Sequence, residues 1–167
     1  MRYYPFSQYL KDMFHAKVYR VSLDAGFTCP NNDTASGRQG CIYCNEKGFS
    51  FYTGGSTPLD EQTHRTMDFM RKRYGAEKFI AYFQNATNTN APQPVLKEKY
   101  DVIKKYPDIV GLYISTRPDC VDAEKLDLIA GYKDKYDVWI EYGVQTSHDR
   151  SLEFIGRGHD FASCEKA

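Results

Sequence analysis

The apolar and polar positions of this chain alternate between strand-like and helix-like spacing. Strand-like segments occur four times, over residues 17–23, 79–83, 109–116 and 137–145. Segments with apolar residues at helical intervals lie between them, over residues 59–74, 94–106 and 122–132. Short strands that alternate with helices are typical of βαβ units. The pattern therefore predicts an α/β fold with a parallel sheet.

Local signals at the ends of these segments support the helices. Gly75 ends the first long helix, and Pro94 suits the first turn of the next one. Ser7 is a candidate cap for an additional helix over residues 7–14, before the first strand. Two more helices are predicted after the fourth strand, near Asp149 and from Phe161 onward.

Composition narrows the class of protein. The chain of 167 residues has the size of one ordinary domain. Its 22 basic and 22 acidic side chains balance, so net charge gives no argument for binding nucleic acid or anionic membranes. No apolar run approaches the length of a membrane span, and the first residues lack a signal-peptide core. Five cysteines, three of them clustered, fit a reducing cytoplasm with a metal site. We therefore expect a cytoplasmic protein without membrane contact.

The three clustered cysteines are the strongest candidate metal ligands. Cys41 and Cys44 form a CxxC pair, and a loop rich in turn-forming residues connects it to Cys29. Three thiolates without an obvious fourth ligand fit two kinds of centre. A structural zinc site needs four protein ligands, and the candidates for the fourth are His64, His148 and His159. A cubane iron–sulfur cluster held by three thiolates leaves one iron free for another ligand.

Polar side chains gather where the predicted strands end. The cysteine loop follows the first strand, Gln84 and a Thr-Asn-Thr-Asn run follow the second, and Ser115 with Thr116 ends the third. The fourth strand places three residues two positions apart and so on one face, namely Glu141, Gly143 and Gln145. A carboxylate and an amide in an apolar strand are costly unless they are hydrogen-bonded. Because function in βα repeats lies at the carboxyl ends of strands, we expect a ligand site here.

Some polar residues and thiols also have structural interpretations. The residue types of Thr87, Asn88 and Thr89 are equally those of a turn and a helix cap. Glu141 and Gln145 are alternatively polar groups satisfied within the core. The other residues expected to be structural are Cys120 and Cys164, as buried thiols, and His159, in a turn.

The spacing Cys29…Cys41-Ile42-Tyr43-Cys44 after a first strand resembles the cluster motif of radical S-adenosylmethionine (SAM) enzymes. Their usual spacing is three residues and then two, and the first gap here is widened to eleven. The wide gap resembles the subgroup that contains the radical-SAM domain of the Elongator catalytic subunit. The chain is more closely similar to the YhcC-like bacterial proteins of that subgroup, from about Arg2 to its last residue. The segments that carry this likeness are residues 22–31, 82–84, 87–89, 115–119, 141–145 and 157–160.

The resemblance implies a radical SAM enzyme built as a partial TIM barrel. Cys29, Cys41 and Cys44 would hold a [4Fe–4S] cluster whose free iron binds SAM. An electron donor such as flavodoxin or ferredoxin would reduce the cluster, and cleavage of SAM would give a 5′-deoxyadenosyl radical that acts on an unknown substrate. RNA is one candidate substrate, since the Elongator relative acts with transfer RNA. The alternatives are a non-catalytic binding module stabilised by zinc or a cluster, and a component of RNA modification.

The resemblance also implies which residues contact SAM. Tyr43 matches the aromatic position beside the adenine. Gln145 and Arg157 match a pair that contacts the ribose and the methionine carboxylate, to which a guanidinium can donate two parallel hydrogen bonds. Gln84 and Asn85 stand where many members carry Gly-Gly-Glu, a departure from the family pattern. The remaining candidates, near the ribose or the methionine amino group, are Ser115, Thr116 and Glu141. No catalytic side chain is assigned.

The resemblance bears on the extent of the domain. Radical SAM cores resemble a partial barrel of six βα units, and the pattern here contains four. The last residues, Glu165-Lys166-Ala167, fall in the opening turns of a predicted helix. We therefore expect residues 1–167 to be the N-terminal portion of a radical-SAM core domain, a single incomplete domain truncated at the C-terminus. The remainder would supply much of the substrate pocket, so activity of the chain alone is left open.

Overall fold

The computed structural model of the chain describes residues 2–33, 37–44 and 57–167. Its strands are β1 (Val18–Leu23), β2 (Asn32–Asp33), β3 (Arg38–Gln39), β4 (Lys78–Phe83), β5 (Ile109–Thr116) and β6 (Asp137–Tyr142). Its helices are α1 (Phe6–Phe14), α2 (Leu59–Tyr74), α3 (Gln93–Tyr100), α4 (Ala123–Ala130), α5 (Asp149–Phe154) and α6 (Phe161–Lys166), with 3₁₀ turns at Asp101–Lys105 and Pro118–Cys120. The loop predicted over residues 48–58 lies mostly outside the described residues. Within the described ranges, no helix combines the length and apolar character needed to cross a membrane.

β1, β4, β5 and β6 form one sheet, in that order, and every pairing in it is parallel. The pairing aligns the carboxyl ends of neighbouring strands, with Leu23 beside Phe83 and Thr116 beside Tyr142. The predicted α/β fold with a parallel sheet is therefore confirmed, and the arrangement is consistent with part of a TIM barrel. The loops that follow the four strands therefore lie at the same end of the sheet.

Different helices cover the two faces of this sheet. On one face, apolar side chains that include Leu23, Phe83 and Ile114 pack against α2, α3 and α4 and form the main core. On the other face, Ile80 and Tyr113 belong to a smaller cluster that packs against α1. The smaller cluster extends from Leu10 of α1 to Tyr82, which lies near the carboxyl end of β4 just before the polar residues begin.

Aromatic contacts hold α1 over the amino ends of the strands. The rings of Phe6 and Tyr9 lie 5.8 and 5.6 Å from the ring of Trp139, centroid to centroid, in edge-on geometry. The hydroxyls of Tyr9 and Tyr113 both donate to the carboxylate of Asp137, at 3.1 and 2.6 Å. α1 therefore closes the end of the sheet that is opposite to the polar loops.

The structure differs from the sequence predictions at the ends of several elements. α1 begins at Phe6, and the residue before it is Pro5, so Ser7 lies inside the helix. The helix predicted to reach residue 106 ends at Tyr100, because a tighter 3₁₀ turn follows and buries two apolar side chains in the core. β2 and β3 pair within the cysteine loop, and two residues each are too few to give a periodic pattern.

A core phenylalanine should contribute far more to stability than an exposed one. Phe83 is 0% exposed and its ring centroid lies 5.2 Å from that of Tyr100, whereas Phe154 is 78% exposed. We expect Phe83→Ala to lower the free energy of unfolding by about 3–5 kcal/mol, through lost burial and a residual cavity. The matched change Phe154→Ala should alter it by less than about 0.5 kcal/mol. Urea unfolding followed by circular dichroism measures both, and equal effects would contradict the assignment of the core.

Candidate functional site

A cavity of about 480 Å³ lies where the four parallel strands end. All three clustered cysteines line it, together with residues that follow each of the four strands. Most of the predicted cofactor contacts also line it, namely Tyr43, Gln84, Asn85, Ser115, Thr116, Gln145 and Arg157. The structure therefore brings the thiols and these polar residues to one place.

The cysteine loop folds back so that Cys29 approaches the CxxC pair. The amide of Asn32 donates to the Cys29 carbonyl at 2.9 Å, and β2 then pairs with β3 just before Cys41. The amide of Cys44 donates to the Cys41 carbonyl at 2.8 Å, which closes the turn of the CxxC pair. Gly40 has φ of +80°, and a Cβ there would lie 3.3 Å from the Cβ of Cys44. The turn that presents the two thiols therefore requires glycine.

The turn formed by residues 155–159 holds the cysteine loop in place. The side-chain amide of Asn31 donates to the Gly156 carbonyl at 2.7 Å. The backbone amide of Ile42 donates to the Ile155 carbonyl at 3.0 Å. A segment near the end of the chain therefore determines where the loop after the first strand lies.

Cys41 and Cys44 differ in how readily their thiols ionise, because the pKa of one is lowered and that of the other is raised. Partial burial raises the pKa of the Cys44 thiol, and the negative charges of Cys29 and Cys41 raise it further. Burial also opposes ionisation of Cys41, but the pKa of this thiol is lowered overall by hydrogen bonds from Tyr43, Arg157 and Asn31. Thiolates close enough to repel one another are stabilised together by a bound metal group, which supplies positive charge.

The segment after β4 is anchored by a buried carboxylate. Gln84 and Asn85 line the cavity, and the side-chain amide of Asn85 donates to Asp24 at 2.8 Å. The amide of Gly26 donates to the other oxygen of Asp24 at 2.9 Å, and Gln62 of α2 bonds the Asp24 backbone. Asp24 is 3% exposed and lines the same cavity. Sequence reasoning gave it no role of its own, although an acidic residue directly after an apolar strand is a usable signal.

The Thr-Asn-Thr segment makes bonds inside the protein. The hydroxyl of Thr89 lies 2.6 Å from that of Thr116 and donates to the Cys120 carbonyl at 2.7 Å. The side-chain amide of Asn88 donates to the carbonyl of Ser115 at 2.8 Å. These contacts favour the structural interpretation of the segment. They also occupy the hydroxyl of Thr116, although this residue lines the cavity.

The prediction that Glu141, Gly143 and Gln145 share one face of the fourth strand is wrong in part. β6 ends at Tyr142, and Gln145 adopts φ of +72°, so the two-residue alternation stops before it. Gly143 and Gln145 reach the cavity from the turn that follows. Glu141 is not among the lining residues; instead, the hydroxyl of Tyr82, which does line the cavity, donates to its carboxylate at 2.6 Å.

Arg157 connects this turn to the cysteines. Its guanidinium donates to the Gly143 carbonyl at 2.7 Å and to Nε2 of His159 at 2.9 Å. Nη1 lies 3.7 Å from Sγ of Cys41, within range of an N–H···S bond. Arg157 is only 7% exposed, so it is a buried charge beside a thiol. His159 accepts a hydrogen bond within the turn, which agrees with the structural interpretation of this residue.

Arg117 is a second buried arginine and was not singled out in the sequence. It donates two hydrogen bonds to the carboxylate of Asp119, at 2.9 and 2.7 Å, and a third to the Arg157 carbonyl at 2.8 Å. Burial opposes its charge, but the Asp119 carboxylate outweighs this cost and raises the pKa of the guanidinium. The signal available in the sequence was its place in the segment 115–119, directly after a strand.

The described side chains can be compared with the ligands that each kind of metal centre needs. Among the described residues, no group of three or more His, Cys, Asp or Glu side chains is arranged around a single metal ion. His159 is bonded to Arg157, His64 lies on the surface of α2 beside Asp68, and His148 is exposed directly before α5. In the described ranges, the fourth ligand that a zinc site needs is therefore not seen. A cubane cluster makes a different demand, since each thiolate binds its own iron, and three thiols on one cavity wall fit it.

A larger cavity, of about 840 Å³, lies between α1 and the start of β1. It is at the opposite end of the sheet and contains none of the predicted site residues. Its lining includes Lys11, Lys17 and Glu77, which are exposed side chains. The smaller cavity is the candidate site, because its lining contains the three thiols and the polar residues at the strand ends.

Comparison with known proteins identifies relatives over most of the chain. A protein-family model described as "Radical SAM superfamily" matches residues 31–167, a range that includes Cys41 and Cys44 and begins just after Cys29. The chain is 39% identical over 161 residues to the YtqA protein of Bacillus subtilis, covering 96% of this chain and 50% of YtqA. It is 41% identical over 151 residues to YhcC of Escherichia coli K12, covering 90% of this chain and 48% of YhcC. The chain thus spans about half the length of the curated relatives it matches.

A solved structure shares the fold. Elp3 of the archaeon Methanocaldococcus infernus, with an N-terminal deletion, superimposes with a TM-score of 0.56 at 16% sequence identity. The match covers 90% of this chain and 34% of Elp3. At this level of identity the likeness supports the fold alone, and the sequence relatives support the family.

The thiols outside the cysteine loop should differ from Cys41 in reactivity. Cys120 and Cys164 are partly buried, and burial together with Asp119 raises the pKa of Cys120 to about 11. Because the thiolate is the reactive form, alkylation of Cys120 in the metal-free chain should rise about tenfold per pH unit between pH 7 and 10. Alkylation of Cys41, whose pKa is lowered, should level off at a lower pH than that of Cys120. Peptide mass spectrometry after iodoacetamide treatment measures both, and a Cys120 rate that levels off below pH 9 would contradict the structure.

Proposed function

The chain belongs to the radical SAM superfamily, and from this premise we propose that it is the cofactor-binding part of a radical SAM enzyme. In this proposal Cys29, Cys41 and Cys44 hold a [4Fe–4S] cluster, and SAM occupies the cavity beside them. When bound and reduced, such a cluster supplies the electron that cleaves SAM to methionine and a 5′-deoxyadenosyl radical, which abstracts hydrogen from the substrate. The chain's own residues bind, orient and shield these groups.

The observation that carries the proposal is the meeting of three thiols with polar strand-end residues in one cavity. Its volume, about 480 Å³, lies within the range of about 300–1,000 Å³ that is usual for small-molecule sites. Three thiolates leave one iron of a cubane without a protein ligand, and a ligand for it has to come from the cavity. SAM brings an amino group and a carboxylate, which suit this purpose.

Arg157 is the proposed partner of the methionine carboxylate. Its contacts with described residues use three of the five N–H groups of a guanidinium, so donors remain for a carboxylate. Gln145 is the proposed partner of the ribose, and the exposed ring of Tyr43 is the proposed partner of the adenine.

The methionine amino group is assigned to the polar wall at the ends of β4 and β5. Gln84 and Asn85 supply amide oxygens there, and Asp24 orients Asn85. Ser115 and Thr116 belong to the same wall, and Glu141 is proposed to act through Tyr82. The proposal also requires an electron donor, of which flavodoxin and ferredoxin are candidates. The balanced charge of the chain gives RNA no support as the substrate.

Anaerobic reconstitution with iron and sulfide tests the cluster. We expect about four irons per chain with brown absorbance. Cys41→Ala should lose both the iron and the absorbance, because one thiolate is removed. Cys120→Ala should retain both, because Cys120 lies outside the cysteine loop. Metal analysis and visible absorption measure the result. Binding of a single zinc per chain in place of the cluster would reject the proposal in favour of a structural metal site.

Gly143→Ala tests the placement of SAM. A Cβ at this position would lie 2.8 Å from Nη2 of Arg157 and 3.1 Å from Nε2 of Gln145, so both side chains would be displaced. Loss of a hydrogen bond to a charged group costs about 1.5–3 kcal/mol, so the affinity of the reconstituted chain for SAM should fall about tenfold or more. Equilibrium dialysis measures it.

The control for this variant is Gly131→Ala. This glycine follows α4 and is not among the residues that line the cavity, and its Cβ would lie 3.3 Å from the carbonyl oxygen of Leu128, a tight contact confined to the end of the helix. Its affinity for SAM should stay unchanged. Equal affinities in the two variants would show that SAM does not lie against Arg157 and Gln145.

A further inference from the structure

Two N–H donors from different parts of the chain point at one of the three cysteines. The side-chain nitrogen of Asn31 lies 3.4 Å from Sγ of Cys41, and Nη1 of Arg157 lies 3.7 Å from the same atom. Cys44 receives a longer contact, at 3.9 Å, from Asn32. Cys41 is also buried, whereas Cys44 is exposed, so the contacts to Cys41 are less weakened by water.

Both N–H donors to Cys41 are themselves held by the turn of residues 155–159. Asn31 donates to the Gly156 carbonyl with the same nitrogen that faces Cys41. Arg157 belongs to the turn, and its guanidinium is oriented by the Gly143 carbonyl and by His159. The direction of the two donors is therefore a property of the folded turn and not of flexible surface side chains.

An ion pair between the buried Arg117 and the exposed Asp119 supports the turn. Arg117, 3% exposed, is oriented by two bonds to Asp119 and donates to the carbonyl of Arg157 at 2.8 Å. Removing Asp119 would leave the buried charge of Arg117 uncompensated, so the ion pair favours this arrangement. Arg117 directly follows β5, so its bond to the Arg157 carbonyl connects the position of Arg157 beside Cys41 to the end of this strand.

Gly158 completes the support, because any side chain there would collide with Asn31. Its φ is +75°, and a Cβ would lie 2.3 Å from Oδ1 of Asn31. Asn31 cannot move aside without giving up its bonds to Gly156 and Cys41. The close approach of the two segments therefore depends on glycine at this position.

We propose that Asn31 and Arg157, held by Arg117 and Gly158, are positioning residues that orient Cys41 as an iron ligand and stabilise the reduced state of the cluster. This inference rests on the proposed function, since it needs the cluster. Reduction adds negative charge that is shared by the sulfurs, and N–H donors stabilise that charge. The same donors restrict the sulfur, so they should also slow the loss of iron.

The first test compares Gly158→Ala with Gly75→Ala in the reconstituted chain without SAM. Both glycines have positive φ, but a Cβ at Gly75 would meet nothing within 4 Å. Both variants therefore carry the same backbone strain, and only the first displaces Asn31. We expect a chelator to extract iron about tenfold faster or more from Gly158→Ala than from Gly75→Ala. Equal rates would overturn the inference.

The second test measures the midpoint potential of the cluster by an EPR-monitored titration, again without SAM. Asn31→Ala should shift it to more negative values. The matched amide variant Asn32→Ala should shift it less, because its contact with sulfur is longer and more exposed. A shift in Asn32→Ala equal to or larger than that in Asn31→Ala would contradict the role of Asn31.

Arg157→Lys separates this role from SAM binding. Lysine keeps the positive charge but cannot bond Gly143, His159 and Cys41 together. The inference expects a more negative potential in the absence of SAM. If this variant weakens SAM binding and leaves the potential unchanged, Arg157 serves SAM alone and the inference fails while the proposed function stands. If the unmodified chain binds no cluster, the proposed function itself fails.

Discussion

Parallel pairing of β1, β4, β5 and β6 is the constraint on which the site depends. Because the four strands run in the same direction and their carboxyl ends are aligned, the loops after them enter one space. The helices that return the chain cover the main apolar face, and α1 closes the amino ends with aromatic side chains. The polar residues therefore lie at the carboxyl ends of the strands, where the cavity of about 480 Å³ is found.

The described part of the cysteine loop contains only two strands of two residues each, so its position depends on long-range contacts. Asn31 bonds a carbonyl 125 positions away, and Arg157 reaches the sulfur of Cys41 across 116 positions. Arg117 links these contacts to the end of β5. In the folded chain, the sheet and these contacts together arrange the thiols along the cavity. Preorganisation of this kind lowers the cost of orienting ligands.

The fold and most of the site could be predicted from the sequence, for identifiable reasons. α2 begins and ends as predicted because Gly75 in a left-handed conformation stops it, and β5 is a long apolar run. The turn at Gln145 was missed because a short alternation does not reveal a positive φ. Asp24 and Arg117 were missed because burial of a charged side chain depends on partners that local patterns do not show. The contact of Glu141 with Tyr82 depends on strand register, which is likewise invisible in one segment.

The central claim is that three thiols hold a cluster whose remaining iron is open to SAM in the adjoining cavity. EPR spectroscopy of the reduced, reconstituted chain, with and without SAM, tests it most directly. The account predicts the signal of a reduced [4Fe–4S] cluster that changes when SAM is added, because SAM binds one iron. A cluster signal that SAM leaves unaltered would contradict the open coordination site and with it the assignment of the cavity.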